Sequence, residues 1–185
     1  GELAFHLDVS ASSVARRAFS LLRGLDVESE IRTYRQRAFD CPTRYQLHVL
    51  GGPATVEVLR EAGIVGRGGR PLTRPPARVV GRPCCRAAYV RGSLLGAGSV
   101  SGPRAAQLEV RFSDLEGAEF LVRVAAQDDV FLRARERRAY AVALTRNAET
   151  VADTLALAGA SDAALVIDEH SVVGAARAAA NRLAN

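Results

Sequence analysis

No lysine, methionine or tryptophan occurs in this 185-residue chain, so all 25 basic residues are arginine. An arginine bias of that kind is a mark of GC-rich coding and points to a high-GC bacterium. Aromatic residues make up only 5% of the chain, which leaves Ala, Val and Leu to build the core within a hydrophobic content of 48%. No stretch approaches the roughly 18 apolar residues that a membrane helix requires, and no signal or transit segment is recognisable, so secretion and membrane insertion find no support. Cysteine is scarce too: Cys41, Cys84 and Cys85 lack the spacing of a metal knuckle. They fit a reduced, cytoplasmic setting, with Cys84 and Cys85 expected to lie buried as small apolar side chains.

Signatures of catalysis are missing as well. His6, His48 and His170 are scattered along the chain, no Ser or Cys stands in a nucleophile turn, and no HExxH occurs. Asp168, Glu169 and His170 are contiguous, which on a helix points them apart. Asp128 and Asp129 read as a turn. The chain is therefore expected to be neither an enzyme nor a holder of a metal or cofactor. Its net charge of +5 and pI near 9.7 favour an anionic partner, either nucleic acid or an acidic protein face.

Periodicity divides the chain into short elements. Leu3 to Val9 alternates as a half-buried strand, and Ser10, Ser12 or Ser13 can cap a helix lined by Val14, Ala18, Leu21, Leu22 and Leu25. Strands at Glu30–Gln36 and Arg44–Leu50 follow, joined by a turn around Asp40 and Pro42, and then a helix at Ala54–Ala62 stopped by Gly63. In the second half, Gln107–Phe112 is a strand, Leu115–Ala126 a helix, Val130–Glu136 and Tyr140–Leu144 a hairpin, and Glu149–Ala158 a helix capped by Asn147. The order strand, helix, strand, strand, helix thus occurs twice. Thr55, Val56, Leu59, Ala62 and Gly63 are echoed by Thr150, Val151, Leu155, Ala158 and Gly159, an offset of about 95 residues that signals a duplicated unit. Residues 67–82, rich in Arg, Pro and Gly, read as an extended, exposed linker that does not pack as an element.

The stretch from Pro83 to Gly102 organises the rest. Ala88, Gly92 and Gly96 recur every four residues and form a smooth stripe on a helix, with Arg86 and Arg91 outside it. Glycine costs about 1 kcal/mol against alanine in a helix, and close approach of a second helix supplies the reason for placing two on one face. Gly98 stops the helix and Pro103 prevents its resumption. Gly96, Gly98 and Gly102 approximate a dinucleotide fingerprint, but that motif must follow a strand and open a helix, whereas here the order is reversed. The two arginines exclude a membrane helix pair.

YVRGSLLGAGSV instead resembles the LAGLIDADG helix of homing endonucleases. Tyr89, Gly92, Gly96, Gly98 and Ser99 occupy the motif's aromatic, small and glycine–serine positions, while its two acids fall on Leu95 and Ala97. Neither side chain can hold the divalent ion that activates water for phosphodiester hydrolysis. The string CCRAAYVRGSLLGAGSV, the duplicated unit and the closing NRLAN together resemble the bacterial WhiA transcription regulators of sporulation and cell division.

That resemblance implies an α+β fold: duplicated LAGLIDADG homing-endonuclease-like αββαββα lobes related by a pseudo-two-fold axis. It places the first lobe at 1–66 without its motif helix, the second at 83–169, and at 170–185 a helix leading to a helix-turn-helix domain that lies outside this sequence. It implies partners too: a sporulation sigma factor with RNA polymerase, an iron-sulfur companion regulator, and DNA read chiefly by the helix-turn-helix, at the nucleoid. In such relatives the sheets form a saddle over DNA. Arg133, Arg135 and Arg137 alternate along one strand and share a face, and Arg32, Arg35, Arg37 and Arg44 crowd the corresponding hairpin. These seven arginines are the expected nucleic-acid or partner surface, through phosphates or carboxylates.

Overall fold

The computed structural model describes residues 3–34, 43–102 and 105–183, with only the backbone described for Leu3, Ala175 and 177–183. Arg35, Arg37, Cys41, Pro103 and the turn at Asp40 and Pro42 therefore lie outside the described residues. The chain divides into two compact units, Gly1–Pro76 and Ala77–Asn185.

In the first unit, β1 (Leu3–Val9), α1 (Ser12–Arg23), β2 (Ser29–Tyr34), β3 (Arg44–Gly51) and α2 (Pro53–Glu61) follow the expected order. The sheet is antiparallel with strand order β1-β3-β2. Val9, Leu47 and Ala15 form its core, packed by Val14, Ala18, Phe19, Leu22, Ile31 and Tyr45. The face of α1 differs from expectation: Ala15, Ala18, Phe19 and Leu22 line the sheet at helical spacing, whereas Leu21 and Leu25 are exposed. No serine caps this helix. Its N-cap is Ala11, which has no side-chain acceptor, and the Ala11 carbonyl accepts directly from the Ala15 amide.

The second unit runs α3 (Pro83–Ala97), β4 (Gly98–Val100), β5 (Leu108–Phe112), α4 (Leu115–Ala126), β6 (Arg133–Glu136), β7 (Ala141–Thr145), α5 (Ala148–Leu157) and α6 (Ser161–Leu183). From α3 to α5 this is the αββαββα order, with sheet order β4-β5-β7-β6. Strands β5-β7-β6 thus repeat the order β1-β3-β2, so the duplication seen in the sequence holds at the level of topology. The extra strand β4 is three exposed residues that pair with β5, too short to give a periodic signal.

β7 is the centre of this unit. All five of its residues are buried, and its small side chains let α4 sit close on the sheet. Leu108, Val110, Leu121, Ala125, Val130, Leu132, Ala143, Val151 and Leu155 form the main core. Asp114 and Asn147 cap α4 and α5, accepting from the amides of Gly117 at 2.9 Å and Thr150 at 3.0 Å.

Two expectations need correction. The stretch 67–82 is not wholly extended: Val65 bridges Pro71, and Ala77–Val80 forms a 3-10 turn whose Val80 is buried against Phe120 and Val124. Proline's fixed backbone angle suits such short bridges as well as open linkers. The C-terminal helix begins at Ser161 and runs unbroken to Leu183, so a lobe boundary at 169/170 falls inside one helix.

The repeated glycines have identical roles. Gly63 (φ +74) and Gly159 (φ +79) end α2 and α5 in the left-handed conformation. In each case the next amide reaches back to a leucine carbonyl, Ile64 to Leu59 at 2.9 Å and Ala160 to Leu155 at 2.8 Å. A Cβ at Gly159 would also lie 2.9 Å from the Arg91 guanidinium. Gly159→Ala is expected to lower unfolding free energy by about 1–3 kcal/mol, and Asn147→Ala by about 1 kcal/mol, both read from urea-denaturation midpoints.

Candidate functional site

α3 buries one side and leaves the other open. Val90 is fully buried, Tyr89 packs edge-on against Phe120 with ring centroids 5.6 Å apart, and Leu94 joins the main core. Burial raises the Tyr89 phenol above its ordinary pKa, partly offset by a hydrogen bond with Ser93. The opposite side carries Ala88, Gly92 and Gly96, all exposed, and apart from the helix's own backbone no described atom lies within 4 Å of where a Cβ would stand at either glycine. The expected smooth stripe therefore exists and faces open space. At Gly98 the chain turns straight into β4, where a Cβ would meet the Leu94 carbonyl oxygen at 2.5 Å. Leu95 and Ala97, at the motif's acid positions, are both exposed.

Two arginines that the stripe excludes hold the helix in place. The Arg86 guanidinium donates to both oxygens of Asp128, at 2.6 and 2.8 Å, tying the first turn of α3 to the turn after α4. The fork holds the Asp128 carboxyl below its ordinary pKa, and the Arg86 pKa is raised in return. Arg91 donates to the carbonyl of Ala158, the C-cap of α5, at 2.6 Å. Asp128 and Asp129 do mark a turn, with Asp129 at φ +59. The clamp role of Asp128 has no local sequence signal, because its partner is 42 residues away.

The expected surface arginines separate into two sets. In the second unit, register places Arg133 opposite Leu144 and Arg135 opposite Val142. Both face away from the core residues Leu108, Val110 and Ala143, and Arg137 is exposed just beyond them. Arg111 on β5 stands on the other side of Val142, 5.1 Å from the Tyr140 ring centroid and 3.4 Å from Glu109. Sequence reading missed Arg111 because one arginine in a five-residue strand gives no pattern until the register is known. Arg133, Arg135 and Arg137 make no ion pair among the described residues.

In the first unit, Arg32 and Arg44 share the core-free face of the sheet by register, and Arg32 pairs with Glu30. Tyr34 donates to Asp8 at 2.8 Å, and that bond is the leading cause of a raised Tyr34 pKa.

Two further corrections concern cysteine and histidine. Cys84 is exposed and Cys85 half-buried, because both sit in the first turn of α3 before the helix reaches the core. His6 and His48 are not scattered but face each other across β1 and β3. Among the described residues no group of three or more His, Cys, Asp and Glu could hold a metal ion. No helix among them is long and apolar enough to cross a membrane.

The fold is that of the LAGLIDADG homing endonucleases. It resembles the full-length DUF199/WhiA from Thermatoga maritima with a TM-score of 0.67 at 14% identity, covering 98% of this chain and 61% of that one. It resembles I-DmoI, solved in complex with DNA and Mn, with a TM-score of 0.51 at 13% identity, covering 78% and 75%. Residues 86–177 match the WhiA LAGLIDADG-like domain. A relative from Heliobacterium modesticaldum named "Probable cell division protein WhiA" is 30% identical over 192 residues, covering 100% of this chain and 59% of that protein. The chain belongs to the WhiA family, and it spans about 60% of the length of the curated relatives it matches.

The Arg86–Asp128 pair gives a pH prediction. A carboxyl whose folded pKa is depressed contributes stability that is complete above its unfolded value near 3.8 and is lost as pH falls through the folded value. Asp128→Asn is therefore expected to be less stable than the parent at pH 7, with the difference narrowing below pH 4 in thermal melts.

Proposed function

We propose that this chain is the non-catalytic LAGLIDADG-like region of a cytoplasmic, nucleoid-associated regulator of sporulation and cell division. In this reading it docks a sigma factor bound to RNA polymerase, with supporting contact to DNA. A helix-turn-helix domain reads the promoter, and an iron-sulfur regulator acts alongside. The observation that carries the reading is the pair Leu95 and Ala97 at the acid positions. Endonuclease chemistry at the end of the motif helix needs carboxylates to hold a divalent ion, and methyl groups offer no lone pair.

The exposed arginines support a docking role. Arg133 and Arg135 stand with Arg111 on the sheet face turned away from Leu108, Val110 and Ala143, Arg137 is exposed just past the end of β6, and their forked donors suit the carboxylates of an acidic protein surface. The cell-division name carried by the relatives agrees with a regulatory task. The open Ala88–Gly92–Gly96 stripe is read as the seat of a second, equivalent helix.

A second reading, sequence-blind DNA binding, draws on the same arginine face. Pull-down of sigma factor separates the two. Charge reversal at Arg133 and Arg135 is expected to weaken sigma-factor capture by roughly tenfold or more, and unchanged capture removes those residues from the interface. A loss confined to DNA binding, steep in salt, favours the second reading. Metal-dependent plasmid nicking by the full-length protein would overturn the non-catalytic assignment.

A further inference from the structure

The sheet of the first unit packs the face that carries Leu47, Ile31 and Tyr45 under α1, and the alternate residues of its strands form the open face. On that open face the register lines up one row across all three strands: His6 on β1, His48 on β3 and Glu30 on β2. All three alternate with the core residues Leu47 and Ile31, so their side chains rise away from the core. The imidazoles of His6 and His48 are tilted at 44° with centroids 4.6 Å apart, and their Nδ1 atoms stand 3.1 Å from each other.

Two Nδ1 atoms at that distance share a proton when one ring donates and the other accepts. They can also share a cation. Imidazole nitrogens bind zinc at about 2.0–2.1 Å, which puts two ligands of one ion about 3.3 Å apart in a tetrahedral site and about 2.9 Å apart at a right angle. The observed 3.1 Å falls between these spans, so the backbone register already sets the bite of a chelate.

We propose that His6 and His48 form a two-imidazole clamp for a d-block divalent cation such as Zn²⁺, Ni²⁺ or Cu²⁺, with water filling the remaining positions. Imidazole selects these ions over Mg²⁺ and Ca²⁺, which take oxygen ligands. The clamp is thus distinct in ligand type and place from the acid positions on α3.

The surrounding charges favour it. Asp8 and Glu30 are the acids on this face, set against Arg32 and, two residues along β3 beyond Gln46, Arg44. Among the described residues, Asp8 is engaged by Tyr34 and Gln46 and Glu30 pairs with Arg32. Because β1 is one of the sheet's two outer strands, an ion on the clamp would pin it to β3.

The test is titration of the 185-residue chain with its cysteines replaced by serine, so that no thiol competes. The same titration on the alkylated native chain serves if the serine variant does not fold. Calorimetry with NiCl₂ is expected to give one ion per chain, and bound Cu²⁺ to show two equivalent nitrogens in its paramagnetic resonance spectrum. His6→Ala and His48→Ala should each weaken uptake by roughly tenfold or more, while His170→Ala, on α6, leaves it unchanged. Absence of uptake at millimolar metal, or uptake that survives both His6→Ala and His48→Ala, overturns the proposal.

Discussion

The rotational setting of α3 rests on two arginines. Its sides differ little in apolar character, since the stripe that faces away from the core is made of Ala and Gly rather than of charged residues. Area burial alone would then leave the helix free to roll. The Arg86–Asp128 fork fixes its first turn, and the Arg91 bond to the end of α5 fixes it one and a half turns later. Val90 and Tyr89 are seated between these two points. With the roll settled, the small stripe and the acid positions have no choice but to face outward.

The two units are copies in strand order and in the glycine that ends each second helix, yet their open sheet faces have parted company. The first carries histidines, carboxylates, an amide and a phenol in a mixed network around β3. The second carries arginines on either side of the buried aliphatic residues Val142 and Leu144. A frame whose core is built from Ala, Val and Leu tolerates such divergence, because most outward strand positions carry exposed polar side chains rather than core residues.

Much of this was legible in the sequence because the information was local. Alternation marked the strands, Asn147 and Gly159 marked the ends of α5, and the repeated element order announced the duplication. Ser10, Ser12 and Ser13 misled, since any of them can cap but the helix starts between the first two, at an alanine N-cap. The rotation of α1 was misjudged for a similar reason: Leu21 and Leu25 look like core until the position of Ala15 against Leu47 is known. The Arg86–Asp128 fork and the His6–His48 pair each join residues 42 apart, and no spacing rule reaches that far. In the motif helix the cysteines were misread, because they sit in the first turn at the helix tip, before the core is reached.

α6 is anchored near its start, where Ala164 and Ile167 are buried and the helix packs on α5. Beyond them Val172 and Val173 are exposed on a rod of 23 residues, about 34 Å at 1.5 Å per residue. A stiff arm held near one end behaves as a lever: a tilt of about 5° at a fulcrum near Ala164 moves Leu183, 19 residues or about 28 Å away, by roughly 2.5 Å. Small adjustments in how α5 and α6 pack are therefore amplified along the helix.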